Sequence, residues 1–120
     1  MKNEIQEIKA RYKKRKDSNK KENIWFSKYV QFEREKKYFE IIGNKFQKLG
    51  DKKIIEIGAG GGDNLIALKR NGFDWKNIYA NELLEDRVEM LIKNLPNSNI
   101  YAGDASNLEF KNYFDVVFQS

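Results

Sequence analysis

The sequence predicts an α/β protein: a parallel sheet flanked by helices, preceded by a helical N-terminal extension. Three observations predict it. From Lys53 onward, short apolar runs alternate with longer stretches of helical periodicity, the pattern that builds a parallel sheet through right-handed crossovers. The first run, "KIIEIG", passes directly into a turn where Gly58, Gly60, Gly61 and Gly62 leave almost no side chains. Ahead of residue 50 this alternation is missing, which puts a boundary there: 1–50 as the extension and 51–120 as the α/β domain.

The elements follow in order. Residues 1–21 read as a basic helix with a narrow apolar stripe of Ile5, Ile8 and Tyr12, and "RYKKRKDSNKK" is too polar to pack alone. "NIWFSKYVQF" supplies an aromatic cluster of Trp25, Phe26, Tyr29 and Phe32, expected in a core. A helix follows, with Phe39, Ile42, Phe46 and Leu49 on one face and Gly50 at its C-terminus. "KIIEIGA" is a buried strand and "GDNLIALKRNG" a helix closed by Asn71-Gly72. Trp75 packs in the loop before a second strand, "NIYANE". "LLEDRVEMLIKNLP" is a helix with Leu84, Val88, Leu91, Ile92 and Leu95 inward, ended by Pro96. "NIYAGDA" and "FDVVFQS" are the third and fourth strands.

Composition narrows the chemistry. A chain of 120 residues suffices for one small domain, and 34% charged residues fit a soluble protein. No apolar run approaches the roughly 20 residues that span a bilayer, and the N-terminus has no signal-peptide core, so a cytoplasmic protein without membrane partners is expected. With no cysteine and no histidine, disulfides, thiolate metal sites and cysteine nucleophiles are excluded, and no metal site is expected. Residues 1–21 hold nine Lys or Arg against three Asp or Glu, a net of +6, which leaves the rest near −1 within a total of +5.

A glycine-rich turn between a strand and a helix suits a nucleotide, because the helix N-terminus offers N–H groups and the ligand can approach the backbone. The dinucleotide pattern G-x-G-x-x-G starts at Gly58 and Gly60 but meets Asp63 at its sixth position, where an acid would repel a pyrophosphate. That disfavours an NAD-dependent oxidoreductase. The P-loop pattern fails because no Gly-Lys-Ser/Thr follows. What fits is acid-x-G-x-G-x-G: Glu56, Gly58, Gly60, Gly62.

Here the chain resembles the class I, Rossmann-like S-adenosylmethionine-dependent methyltransferases, over residues 53–120. The resemblance implies a cofactor, S-adenosyl-L-methionine, held by Glu56, Gly58, Ala59, Gly60 and Gly62. It implies that Glu82, closing the second strand, accepts hydrogen bonds from both ribose hydroxyls and that Leu83 flanks the adenine. Asp104 would bond the adenine amino group, the Ala105 N–H a ring nitrogen, and Gln119, with Ser120, would stand at the mouth of the fourth strand. The family's sheet has seven strands in the order 3-2-1-4-5-7-6, and this chain carries strands 1–4. A truncated or split enzyme is therefore expected, with the fourth-strand edge covered by another copy or a second polypeptide. The acceptor expected is a small molecule; "RYKKRK" resembles a segment of small-molecule methyltransferases from polysaccharide clusters. No catalytic residue is assigned.

Other readings stand beside these. The glycines alone also make a tight turn, Glu82 also suits the start of a helix, and Asp104 also suits a turn cap. Glu56, an acid inside an apolar strand, is expected to accept backbone N–H groups of the turn or to meet the methionine amino group through water. Asp115 is expected to be structural. The basic extension reads as a solvated face, as a lid bringing Arg11, Tyr12 or Tyr29 to the cofactor, or as an RNA footprint without a recognisable motif. A non-catalytic nucleotide- or partner-binding module and an RNA methyltransferase are the alternative functions.

Overall fold

The computed structural model describes residues 5–11, 13 and 24–119. Tyr12, Ser120 and most of the basic run lie outside the described residues, and so do the expectations placed on them. The chain divides into two compact units, Met1–Tyr38 and Phe39–Ser120.

In the first unit residues 5–11 are helical, with Ile5 and Ile8 half-buried. Helix α1, Ile24–Lys45, begins in this unit and ends in the second. It takes in the aromatic cluster instead of starting after it, because no Pro or Gly separates that cluster from the helical pattern behind it. Phe46 and Leu49, expected on this helix, lie beyond its end. Trp25, 69% exposed, stacks on Tyr29 at 5.9 Å, and Phe26 and Phe32 are also exposed. They were expected in a core. A unit this small and this polar lacks the apolar mass to bury four rings.

The second unit is built on a four-stranded sheet in the order β3-β2-β1-β4: β1 Ile54–Ile57, β2 Ile78–Glu82, β3 Asn99–Ala102 and β4 Val116–Gln119. Every pairing is parallel. Ile54 sits opposite Ile78 and Val116, and Ile57 opposite Asn81 and Gln119. Helices α2, Asp63–Arg70, and α3, Glu85–Asn94, make the first two crossovers. The third connection runs back across the sheet, so a right-handed crossover must pass over the opposite face. Residues 103–115 do so without an α-helix. Apart from one 3-10 turn, Ala105–Asn107, they cover that face with Phe110, Tyr113 and Phe114, whose rings pack 4.9–5.9 Å from that of Tyr79.

The helix-side core consists of Ile54, Leu65, Leu68, Ile78, Leu91 and Leu95, all almost wholly buried. Ile92, expected inward, is exposed. It lies one residue, about 100°, round α3 from Leu91 and off the stripe of Leu84, Leu91 and Leu95. Trp75 falls in a 3-10 turn, Trp75–Asn77, with Lys69 Nζ 5.9 Å from its ring. Asp115 is structural: its Oδ2 accepts the Lys53 N–H at 2.9 Å, which clamps the start of β1 to β4.

Candidate functional site

The parallel register brings the carboxyl ends of all four strands to one edge: Gly58 after β1, Glu82 ending β2, Asp104 after β3 and Gln119 ending β4. In a sheet of this kind ligands bind at that edge, where the strand order reverses between β1 and β4.

The turn after β1 is fastened to β2. The Asn81 carbonyl accepts both the Gly58 N–H at 3.0 Å and the Ala59 N–H at 2.9 Å. Glu82 Oε1 accepts the Gly60 N–H at 2.8 Å, and Oε2 accepts the Leu84 N–H at 2.8 Å. Glu82 is 2% exposed. Its carboxylate thus bridges the glycine turn and the residue that precedes α3. Two N–H donors compensate much of the cost of burying the charge.

The glycines have different reasons. Gly58, Gly60 and Gly62 all have left-handed φ angles, 73°, 60° and 92°, which any other residue would adopt only with strain. A Cβ at Gly62 would stand a tight 3.1 Å from Leu91 of α3 and 3.0 Å from Leu95, just beyond that helix, so there the close neighbour is the protein itself. Above Gly58 there is open space: a Cβ would meet nothing within 4 Å. That end of the turn leaves room for a ligand against the backbone.

Glu56 is fully buried under the start of α2, where Asn64 Nδ2 donates to its Oε2 at 2.8 Å. One partner is thus a side chain on the first turn of α2. Asp104 caps the 3-10 turn through a 2.9 Å bond from the Ser106 N–H. That backbone bond, with the Ser106 side chain, holds its carboxyl below the usual carboxylate range. Ala105 opens the same turn, half-buried, and Leu83 is half-buried between Glu82 and α3. Gln119 is exposed. Arg11 is helical and exposed, and Tyr29 is exposed in the first unit.

Sequence reasoning missed Asn81. Besides its carbonyl, its Nδ2 donates to the Tyr101 and Gly103 carbonyls at 3.2 and 3.0 Å, joining the ends of β2 and β3. An amide inside the apolar run "IYANE" was the available signal, since a buried amide demands partners. Among the described residues no cluster of acids could hold a metal ion, and no helix is long and apolar enough to cross a membrane.

The sheet order, the glycine turn and an acid closing β2 define the cofactor half of the class I, Rossmann-like methyltransferase fold. A family model described as a methyltransferase domain matches residues 55–120, and the chain belongs to that family. Solved structures agree on the fold. An amino pentose methyltransferase of calicheamicin biosynthesis from Micromonospora echinaspora, with S-adenosylmethionine bound, is 16% identical with a TM-score of 0.60. The match covers 82% of this chain and 42% of that one. A Methanococcus maripaludis protein, provisionally described as an S-adenosylmethionine-dependent methyltransferase, is 28% identical with a TM-score of 0.54, over 67% and 38% of the two chains. A Thermoplasma acidophilum protein is 22% identical with a TM-score of 0.55, over 68% and 44%. The chain spans less than half the length of each. No curated protein sequence gives a match.

Proposed function

We propose that the chain holds S-adenosylmethionine across the carboxyl ends of β1–β4 and serves in methyl transfer to a small-molecule acceptor. One observation carries the proposal: Glu82, a buried carboxylate at the end of β2 that is fixed by the Gly60 and Leu84 N–H groups. An ionised carboxylate has about four acceptor positions, so two remain for the two hydroxyls of a ribose. The open space over Gly58 fits the same ligand, and the family match agrees with it.

In this reading residues 1–50 are the extension and 51–120 the cofactor domain. Glu82 orients the ribose, Leu83 flanks the adenine, and Asp104 with Ala105 receives the base edge. Gly58, Ala59 and Gly60 line the methionine end beside Gln119. Gly62 and Glu56 act from beneath, one by letting α3 close on the turn and one by anchoring α2 through Asn64. When bound, the sulfonium supplies an activated methyl group. The chain's own contribution is orientation: transfer needs the acceptor in line with the breaking bond, and alignment lowers such barriers substantially.

The test is calorimetry on the purified chain with S-adenosylhomocysteine, S-adenosylmethionine and NAD. The two sulfur nucleosides should bind far more tightly than NAD. Glu82→Ala, checked for folding by circular dichroism, should weaken them about tenfold or more, since each charge-assisted hydrogen bond is worth about 1.5–3 kcal/mol. Tighter binding of NAD would overturn the assignment. Binding without methyl transfer to any acceptor would favour a binding module of the same fold.

A further inference from the structure

Helix α3 runs along the glycine turn and roofs it residue by residue. A Cβ at Gly62 would meet Leu91 and Leu95, and one at Gly61 would meet Met90 at 3.1 Å. Asn94 Nδ2 donates to the Gly61 carbonyl at 3.0 Å. At Gly60 the nearest atom is Arg87 Nη1, 3.5 Å from where a Cβ would stand. Among the described residues nearest the turn's glycines on this side, Arg87 is the cation, and it lies at the end next to Glu82. The two flank the same glycine, because the Gly60 N–H is the group that Glu82 Oε1 accepts.

The helix dipole does not favour an arginine here. Arg87 is the third residue of α3, after Glu85 and Asp86. The first turn of a helix favours acids and disfavours cations, because the macrodipole is positive there. Glu85 and Asp86 obey that preference and Arg87 goes against it.

Its chemistry does suit the neighbouring site. A carboxylate only accepts hydrogen bonds and a guanidinium only donates them, whereas a hydroxyl does both. Hydroxyls that donate to Glu82 present their lone pairs elsewhere, and only a donor can satisfy those. We infer that Arg87 is a ribose-specificity residue: its guanidinium donates to a hydroxyl of the diol whose protons Glu82 accepts. The diol is then held between an acceptor on β2 and a donor on α3. This rests on the nucleoside reading of the site given above.

The experiment measures S-adenosylhomocysteine and its 2′-deoxy and 3′-deoxy analogues by calorimetry against the unaltered chain, Arg87→Met and Arg87→Lys. Methionine keeps the helix and most of the volume. Arg87→Met should weaken S-adenosylhomocysteine about tenfold, the worth of one charge-assisted hydrogen bond, and Arg87→Lys should weaken it less. With one of the two deoxy analogues the Arg87→Met penalty should vanish, since the bonded hydroxyl is gone. An equal penalty with all three ligands would mean that Arg87 acts only on the packing of α3, and the proposal would fall. It would fall alone if Glu82→Ala abolished binding while Arg87→Met left it intact. If the unaltered chain bound none of the three, the proposal and the nucleoside reading would fall together.

Discussion

Gly58 and Gly62 share a left-handed backbone but not an environment, and substitution separates them. Gly62→Ala adds overpacking against Leu91 and Leu95 to the strain of a positive φ. Each costs about 1–3 kcal/mol, so urea unfolding should show a loss of at least about 2 kcal/mol. Gly58→Ala meets open space and should lose only the conformational term, about 1 kcal/mol, while ligand affinity falls sharply. Equal stability losses for the two variants would contradict the packing account of Gly62. Asp104 offers a second check at this scale. Its carboxyl, held down by the Ser106 N–H, should titrate by NMR below the ordinary value of about 3.9. A depressed carboxylate contributes stability above its unfolded pKa and loses it as pH falls through the folded one. Asp104→Asn should therefore leave neutral-pH stability lower while narrowing the change seen below about pH 4.

Among the elements, the β3-to-β4 crossover departs most from expectation in what holds it down. The Tyr79 and Tyr113 hydroxyls share a 2.6 Å hydrogen bond, and Lys53 Nζ lies 4.1 Å from the Tyr113 ring centre. Burial, and then the bond to Tyr113, push the Tyr79 phenol up to about 12. The same hydrogen bond, with Lys53 adding to it, lowers Tyr113 from the ordinary tyrosine value. A raised phenol stabilises the fold fully below its unfolded pKa, about 10, and that stability drains away as pH rises through about 12. Absorbance titration should show one tyrosine ionising near the top of that range, and Tyr79→Phe should remove it. Tyr113→Phe should cost about 1 kcal/mol, the net worth of one hydrogen bond; an unchanged midpoint would show that the rings alone hold the crossover.

The strands, their parallel sense and both crossover helices were legible in the sequence, because glycines, Pro96 and the closing acids punctuate them at short range. Glu82, which ends β2, and Asp104, which follows β3, mark the same end of the sheet by the same short-range punctuation. What escaped has no local mark. The length of α1 escaped because nothing interrupts it. The aromatic cover escaped because Tyr79 and Tyr113 lie 34 residues apart in sequence. Arg87 escaped because its neighbour Gly60 belongs to the preceding crossover.

For the molecule as a whole, β4 is an edge strand of the sheet, and Val117 on it is 64% exposed. Edge strands present unpaired backbone groups that recruit further strands. We propose that in the isolated 120-residue chain this edge pairs with that of a second copy. Light scattering should find association that Val117→Lys reduces toward the 14.2 kDa of one chain; a mass unaffected by the substitution would argue against that edge. The fastening of the glycine turn has a different consequence. Gly58, Ala59 and Gly60 all give their N–H groups to β2, so the turn takes its shape only once β2 lies beside β1. A nucleoside that needs this turn can bind only chains whose sheet has already closed. By mass action it draws the folding equilibrium toward them, by about 2.7 kcal/mol at a hundred times its dissociation constant. The supply of ligand then raises the folded fraction, and a melting temperature measured without it understates the protein's endurance where the ligand is plentiful.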